Sequence, residues 1–106
     1  MNRNITMLDK VDGFIEVLFD NTAREDERHD AAMDIGKYDD DRALNALLQL
    51  ASNPDEDDII LDACGESIAR ILVKRNQYRK DLINNLTPIA RKLAEEYIKV
   101  HKPEWL

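Results

Sequence analysis

Val11-Asp12-Gly13-Phe14-Ile15-Glu16-Val17-Leu18 and, 33 positions further on, Leu44-Asn45-Ala46-Leu47-Leu48-Gln49-Leu50-Ala51 carry one apolar frame. Val11 falls on Leu44, Phe14 on Leu47, Ile15 on Leu48 and Leu18 on Ala51. The register continues without a gap, with Ala31 on Cys64, Ala32 on Gly65, Ile35 on Ile68, Gly36 on Ala69 and Tyr38 on Ile71. A fixed period of this length, spanning two helical segments and a turn, is the signature of stacked helical units that bury their apolar faces against one another. Proteins built this way usually bind other macromolecules.

Helix boundaries follow from the punctuation around this frame. Thr6 is placed to cap a first helix, with Asp9 at the capping-box position. Met7, Leu8, Val11, Phe14, Ile15, Leu18 and Phe19 then form an amphipathic stripe. Gly13 lies inside it and is expected to admit a neighbouring helix. Asp20-Asn21-Thr22 is a turn, and a second helix is expected from Thr22 or Ala23 to Ile35, stopped by Gly36 in the left-handed conformation. Asp39-Asp40-Asp41 links the units and caps a third helix, Arg42 to Ala51, which Ser52-Asn53-Pro54 breaks. A fourth helix runs from about Asp58 to Lys74, its N-terminus enriched in acid where the macrodipole favours it.

Beyond residue 73 the register fails, since Leu47 would fall on Lys80 and Leu48 on Asp81. Leu82, Ile83 and Leu86 continue an apolar face. Thr87-Pro88 reads as N-cap and first position of a last helix ending near Val100. This stretch is expected to be a divergent capping unit. Lys74 to Lys80 forms a basic joint, read as a solvated helix end, and 102–106 a short non-helical tail anchored by Trp105.

At 106 residues the chain is one domain, and three glycines and three prolines leave little material for β-hairpins. The N-terminal residues contain no apolar h-region and no run approaches a membrane span, so neither a leader nor a membrane segment is expected. With one cysteine, a reducing cytoplasm is the expected compartment. The net charge of −7 is unevenly spread: residues 1–19 carry −1, residues 20–72 carry −10, and residues 73–106 carry +4. An acidic middle repels phosphate backbones, so nucleic acid is not an expected partner; it attracts cationic protein surfaces.

The run Asp41 to Ala51, together with Asp55 to Ile71, resembles a short HEAT repeat: Asp, Arg-Ala, a leucine ladder, an Asp-rich turn, then small residues and an apolar ending. Arg28 to Gly36 resembles the second half of the preceding unit. The match is good over 28–71, fair over 7–27 and weak beyond 73. The resemblance implies an all-α fold, a right-handed stack of about three antiparallel helical hairpins, with units at approximately 7–39 and 40–72, a cap at 73–100 and a tail at 101–106. HEAT units often place an arginine early in the second helix, bonding acidic residues in the turn. Arg28 can take that part in the first unit, but Leu61 stands at the matching place in the second. The ankyrin and tetratricopeptide signatures are absent.

Nothing in the sequence points to catalysis. His29 and His101 are the only histidines, and Asp26 with His29 supplies two metal ligands where a site needs more. Cys64 occupies the place of Ala31 and reads as a packed small residue. There is no phosphate loop and no nucleophile elbow, and Asp55 to Asp58 lack the alternating ligands and glycine of a calcium loop. No metal and no cofactor is expected. The residues singled out for partner binding are Asp39, Asp40 and Asp41 in the link, and Asp55, Asp57 and Asp58 in the turn. Short acidic HEAT-like proteins resemble immunity proteins of bacterial toxin–immunity pairs, including contact-dependent inhibition systems. That resemblance, in size, fold and charge, implies a cytoplasmic, non-enzymatic protein that binds and blocks a cognate toxin domain, in many cases a nuclease. The alternative is a HEAT-like adaptor or accessory subunit of a larger enzyme. Oligomeric state is left open.

Overall fold

A computed structural model describes residues 6–106, with side chains from Lys10 onward. Its helices are α1 (Thr6–Phe19), α2 (Glu25–Ile35), α3 (Asp41–Ala51), α4 (Asp58–Arg75), α5 (Lys80–Asn84) and α6 (Pro88–His101). A 3-10 turn at Pro103–Trp105 follows, where the sequence suggested a non-helical tail. No strand occurs among the described residues. No helix among them is long and apolar enough to cross a membrane. The Thr6 cap, its Asp9 partner and the packing of Met7 and Leu8 lie outside the described side chains.

The core is organised around α4. A helix that is apolar on most of its circumference must be enclosed, and α4 buries Ile60, Leu61, Ala63, Cys64, Gly65, Ser67, Ile68, Ala69, Ile71 and Leu72. It packs against α2, α3 and α6, while α1 packs on α2 and α5 on α6. Every pair in the 33-residue register from Val11/Leu44 to Tyr38/Ile71 is buried or half-buried in both copies.

Two glycines set how closely the helices approach. A Cβ on Gly65 would meet the backbone of Ala90, with the Ala90 Cα only 2.8 Å away. Gly65 is therefore what lets α4 and α6 come together. Gly36, expected to stop α2 by adopting a left-handed conformation, instead has φ −67° and ψ −10°. Its hydrogen is needed for space: a Cβ there would lie 2.7 Å from the Ser67 Cβ. Ser67 in turn donates to the Ala32 carbonyl at 2.6 Å. Gly13, by contrast, has no described atom within 4 Å of a built Cβ, so the close approach expected there is not made by any described residue. The left-handed position among the described residues is Asn76, at φ 54°, which terminates α4.

Local hydrogen bonds explain the shifted boundaries. Asp20 Oδ1 accepts from the Thr22 amide at 2.9 Å and from its hydroxyl at 2.6 Å, holding 20–22 in a turn. The second helix is thereby delayed to Glu25, and Glu27 reaches back to the Arg24 amide at 3.1 Å. Asp40 caps α3 as expected, accepting from the Arg42 amide at 2.7 Å. Thr87 occupies the N-cap position of α6 but does not cap it. Its amide and hydroxyl both donate to the Ala51 carbonyl, at 2.9 and 2.8 Å, tying the start of α6 to the end of α3. Trp105 stacks on Tyr78 with centroids 5.1 Å apart, which fixes the tail against the α4–α5 loop.

Candidate functional site: two acidic clusters

The two acidic clusters flank α3, an 11-residue helix about 16 Å long at the helical rise of about 1.5 Å per residue. Their electrostatic situations differ. Asp40 is held by Arg42, which donates to it from Nε at 3.2 Å and Nη2 at 2.9 Å and also reaches Asp12 at 2.6 Å. The Arg42 hydrogen bond keeps the Asp40 carboxyl below the ordinary range. Asp39 and Asp41 are both ion-paired with Arg75, the second at 2.7 Å. Lys74 donates to the Lys37 carbonyl at 2.9 Å. Within the basic joint, expected to be a solvated helix end, Lys74 and Arg75 thus reach back to the link, while Asn76, Gln77, Arg79 and Lys80 are exposed. There Arg75 is only 18% exposed. Each carboxylate of the Asp39-Asp40-Asp41 cluster thus has an arginine partner, with two guanidiniums shared among these three and Asp12.

Asp55, Asp57 and Asp58 are exposed and enter no ion pair among the described residues. The fourth acid of that run, Glu56, points the other way. It accepts from Arg28 Nη1 at 2.9 Å and Nη2 at 2.8 Å, and the two side chains are only 11% and 9% exposed. Arg28 also donates through Nε and Nη2 to the Leu18 carbonyl at 3.0 and 2.8 Å. Its guanidinium therefore satisfies the end of α1 and clamps it to the α3–α4 turn. The sequence pointed to a bond within the first unit's own turn; the arginine instead crosses to the next turn. The Arg28 hydrogen bond pulls the Glu56 carboxyl below its usual range. Leu61, at the place matching Arg28 in the second copy, is buried in the core. No cation from that helix position answers the 55–58 turn.

Residues from the N-terminal halves of α2 and α4 line one groove, so the acidic N-terminal ends of these helices share one edge of the molecule. Exposed carboxylates on this edge are Glu25, Asp26, Glu27, Asp55, Asp57, Asp58 and Asp62. The cation that reaches into the group is Arg24, 3.2 Å from Asp26 and 3.7 Å from Glu27. Asp26 and His29 both line a groove between α2 and α4. No group of three His, Cys, Asp or Glu side chains among the described residues could hold a metal ion. Cys64 is fully buried, and burial pushes its thiol up to about 12, so it is a packing residue in the folded chain.

Glu56 was hidden in the sequence by its acidic neighbours. A signal for it did exist: Arg28 lies three and four residues before Ala31 and Ala32, on the buried face, and a buried guanidinium requires a partner. The Arg75 pairs had no such signal, because they join residues more than thirty positions apart. No protein-family model, curated protein or solved structure matches this chain.

Proposed function

We propose that this chain is a non-catalytic, HEAT-like protein-binding module whose partner is cationic, and that it acts as an immunity protein blocking a toxin domain. The observation that carries the reading is the uneven neutralisation of acid. Asp39, Asp40 and Asp41 are ion-paired with Arg42 and Arg75, whereas Asp55, Asp57 and Asp58 enter no ion pair among the described residues. Unpaired carboxylates crowded along one edge raise the local negative potential and steer a basic surface into encounter. A nuclease cleft built for phosphates is such a surface, and carboxylates can occupy the phosphate positions.

The helix contacts support paired, stacked helices as the framework, and the right-handed sense of the stack is part of the proposal. Helices α1 and α2, and α3 and α4, are joined by short turns and pack as pairs, while α2, α4 and α6 lie in succession. The shortest dimension of 19 Å accommodates two helix layers of about 10 Å each.

The test is co-expression with a toxin domain encoded beside the gene. Wild type is expected to rescue growth. Charge reversal of Asp55, Asp57 and Asp58 together should abolish rescue, and reversal of Asp39 and Asp41 should spare most of it. Rescue that survives the triple reversal would remove the electrostatic basis of the proposal.

A further inference from the structure

The groove between the N-terminal halves of α2 and α4 is open to solvent, has a volume of about 330 Å³ and is lined by Glu25, Asp26, His29, Ile59 and Asp62. These residues are related by the repeat. Glu25, Asp26 and His29 stand 33 positions before Asp58, Ile59 and Asp62, so equivalent i, i+1, i+4 sets stand on adjacent helices, and all but Asp58 line the groove. In the second copy a carboxylate has been exchanged for an aliphatic side chain at the middle position. Ile59 is 48% exposed, although its neighbour Ile60 is fully buried. One apolar residue thus lies among carboxylates, with Asp58 and Asp62 one turn apart on its own helix and Glu25 and Asp26 across the groove.

We infer that this groove is the seat for a protein segment presenting one aliphatic side chain flanked by lysine or arginine. The inference rests on the protein-binding reading above and specifies where and how the partner is held. Charge selects a cationic occupant: Glu25, Asp58 and Asp62 enter no ion pair among the described residues, and Asp26 pairs with Arg24, which also reaches Glu27. The spread of the carboxylates over two helices suits an extended row of cations, and no three of them gather as ligands for a single metal ion. Ile59 adds an apolar contact that a purely ionic attraction would not use. Covering it excludes water from the flanking ion pairs, which strengthens them, as at the centres of protein interfaces. The groove volume is that of a side chain or two.

The experiment titrates the ¹⁵N-labelled full chain with two synthetic peptides of equal charge, a lysine/arginine peptide with a central leucine and the same peptide with serine there. Amide shifts are expected at 25–29 and 58–62, with the leucine peptide binding about fivefold more tightly. Ile59→Ser should erase that preference while leaving the ionic part. Glu25→Gln with Asp62→Asn should weaken both peptides about tenfold and flatten their salt dependence. All three positions are exposed, and circular dichroism verifies that the variants remain folded. Shifts centred elsewhere, no shifts at millimolar peptide, or equal binding of both peptides would overturn the inference. Toxin rescue separates the two readings: rescue that persists in Ile59→Ser, Asp62→Lys removes the groove and keeps the function. Groove binding without rescue by wild type removes the toxin reading and keeps the groove.

Discussion

Replacing Glu56 by alanine is expected to destabilise the fold far more than replacing any other acid of its run. The substitution removes two of the four hydrogen bonds made by Arg28, and leaves a guanidinium that is 9% exposed with only the Leu18 carbonyl. Removing one partner of a buried ion pair costs about 3–5 kcal/mol. The pair lies near the surface, where water can partly replace the carboxylate, so the low end, about 3 kcal/mol, is the expectation. For a chain of this size, whose total stability is about 5–15 kcal/mol, that lowers the urea midpoint by about 2 M. The thermal midpoint falls by about 12–20 °C. Urea unfolding followed by far-ultraviolet circular dichroism measures the loss. A double-mutant cycle with Arg28→Met and Glu56→Met adds the decisive comparison: the double variant buries no unpaired charge and should be more stable than either single one. A Glu56→Ala protein within about 0.5 kcal/mol of wild type, against the buried-pair cost, would refute the assignment of Arg28–Glu56 as a clamp. The pair also leaves a trace in pH. The Glu56 carboxyl is held below its ordinary range by Arg28. Its contribution is complete above the unfolded carboxylate value of about 4.3 and is lost as pH falls through the lower folded value. Asp20, Asp40 and Asp81 shift in the same direction, so the difference between wild type and Glu56→Gln isolates this residue. That difference should shrink as the solution is acidified.

Gly65→Ala should cost about 3 kcal/mol, because the new methyl meets the Ala90 backbone and the helices must separate. Gly36→Ala meets the Ser67 side chain, so its cost should fall sharply in a Ser67→Gly background, read by urea denaturation. Cys64 should resist an aromatic disulfide reagent in native buffer and react fully in urea, since its buried thiol is pushed up to about 12. Rapid labelling of the native protein would contradict the packing.

Much of the helical framework was legible along the chain. The 33-residue register, the Asp40 cap, the break at Ser52-Asn53-Pro54 and the Thr87-Pro88 helix start are local patterns, and helices are built from local spacing. The roles of the glycines were not. Gly13, Gly36 and Gly65 look alike in sequence, yet only the last two face another helix, because close approach depends on which helix arrives from outside.

The same division holds for the charges. Sequence by itself determined that the repeated part is acidic, that its aspartates fall in a link and a turn, and that the last third is basic. Tertiary structure alone decided which of those aspartates are neutralised. Arg75 returns to the link, Arg28 withdraws Glu56 from the turn, and Leu61 offers the turn no cation. The physical reason is range: an ion pair is made by side-chain atoms within about 4 Å of one another. Separation along the chain does not determine that distance; only the packing of α2, α3 and α4 does.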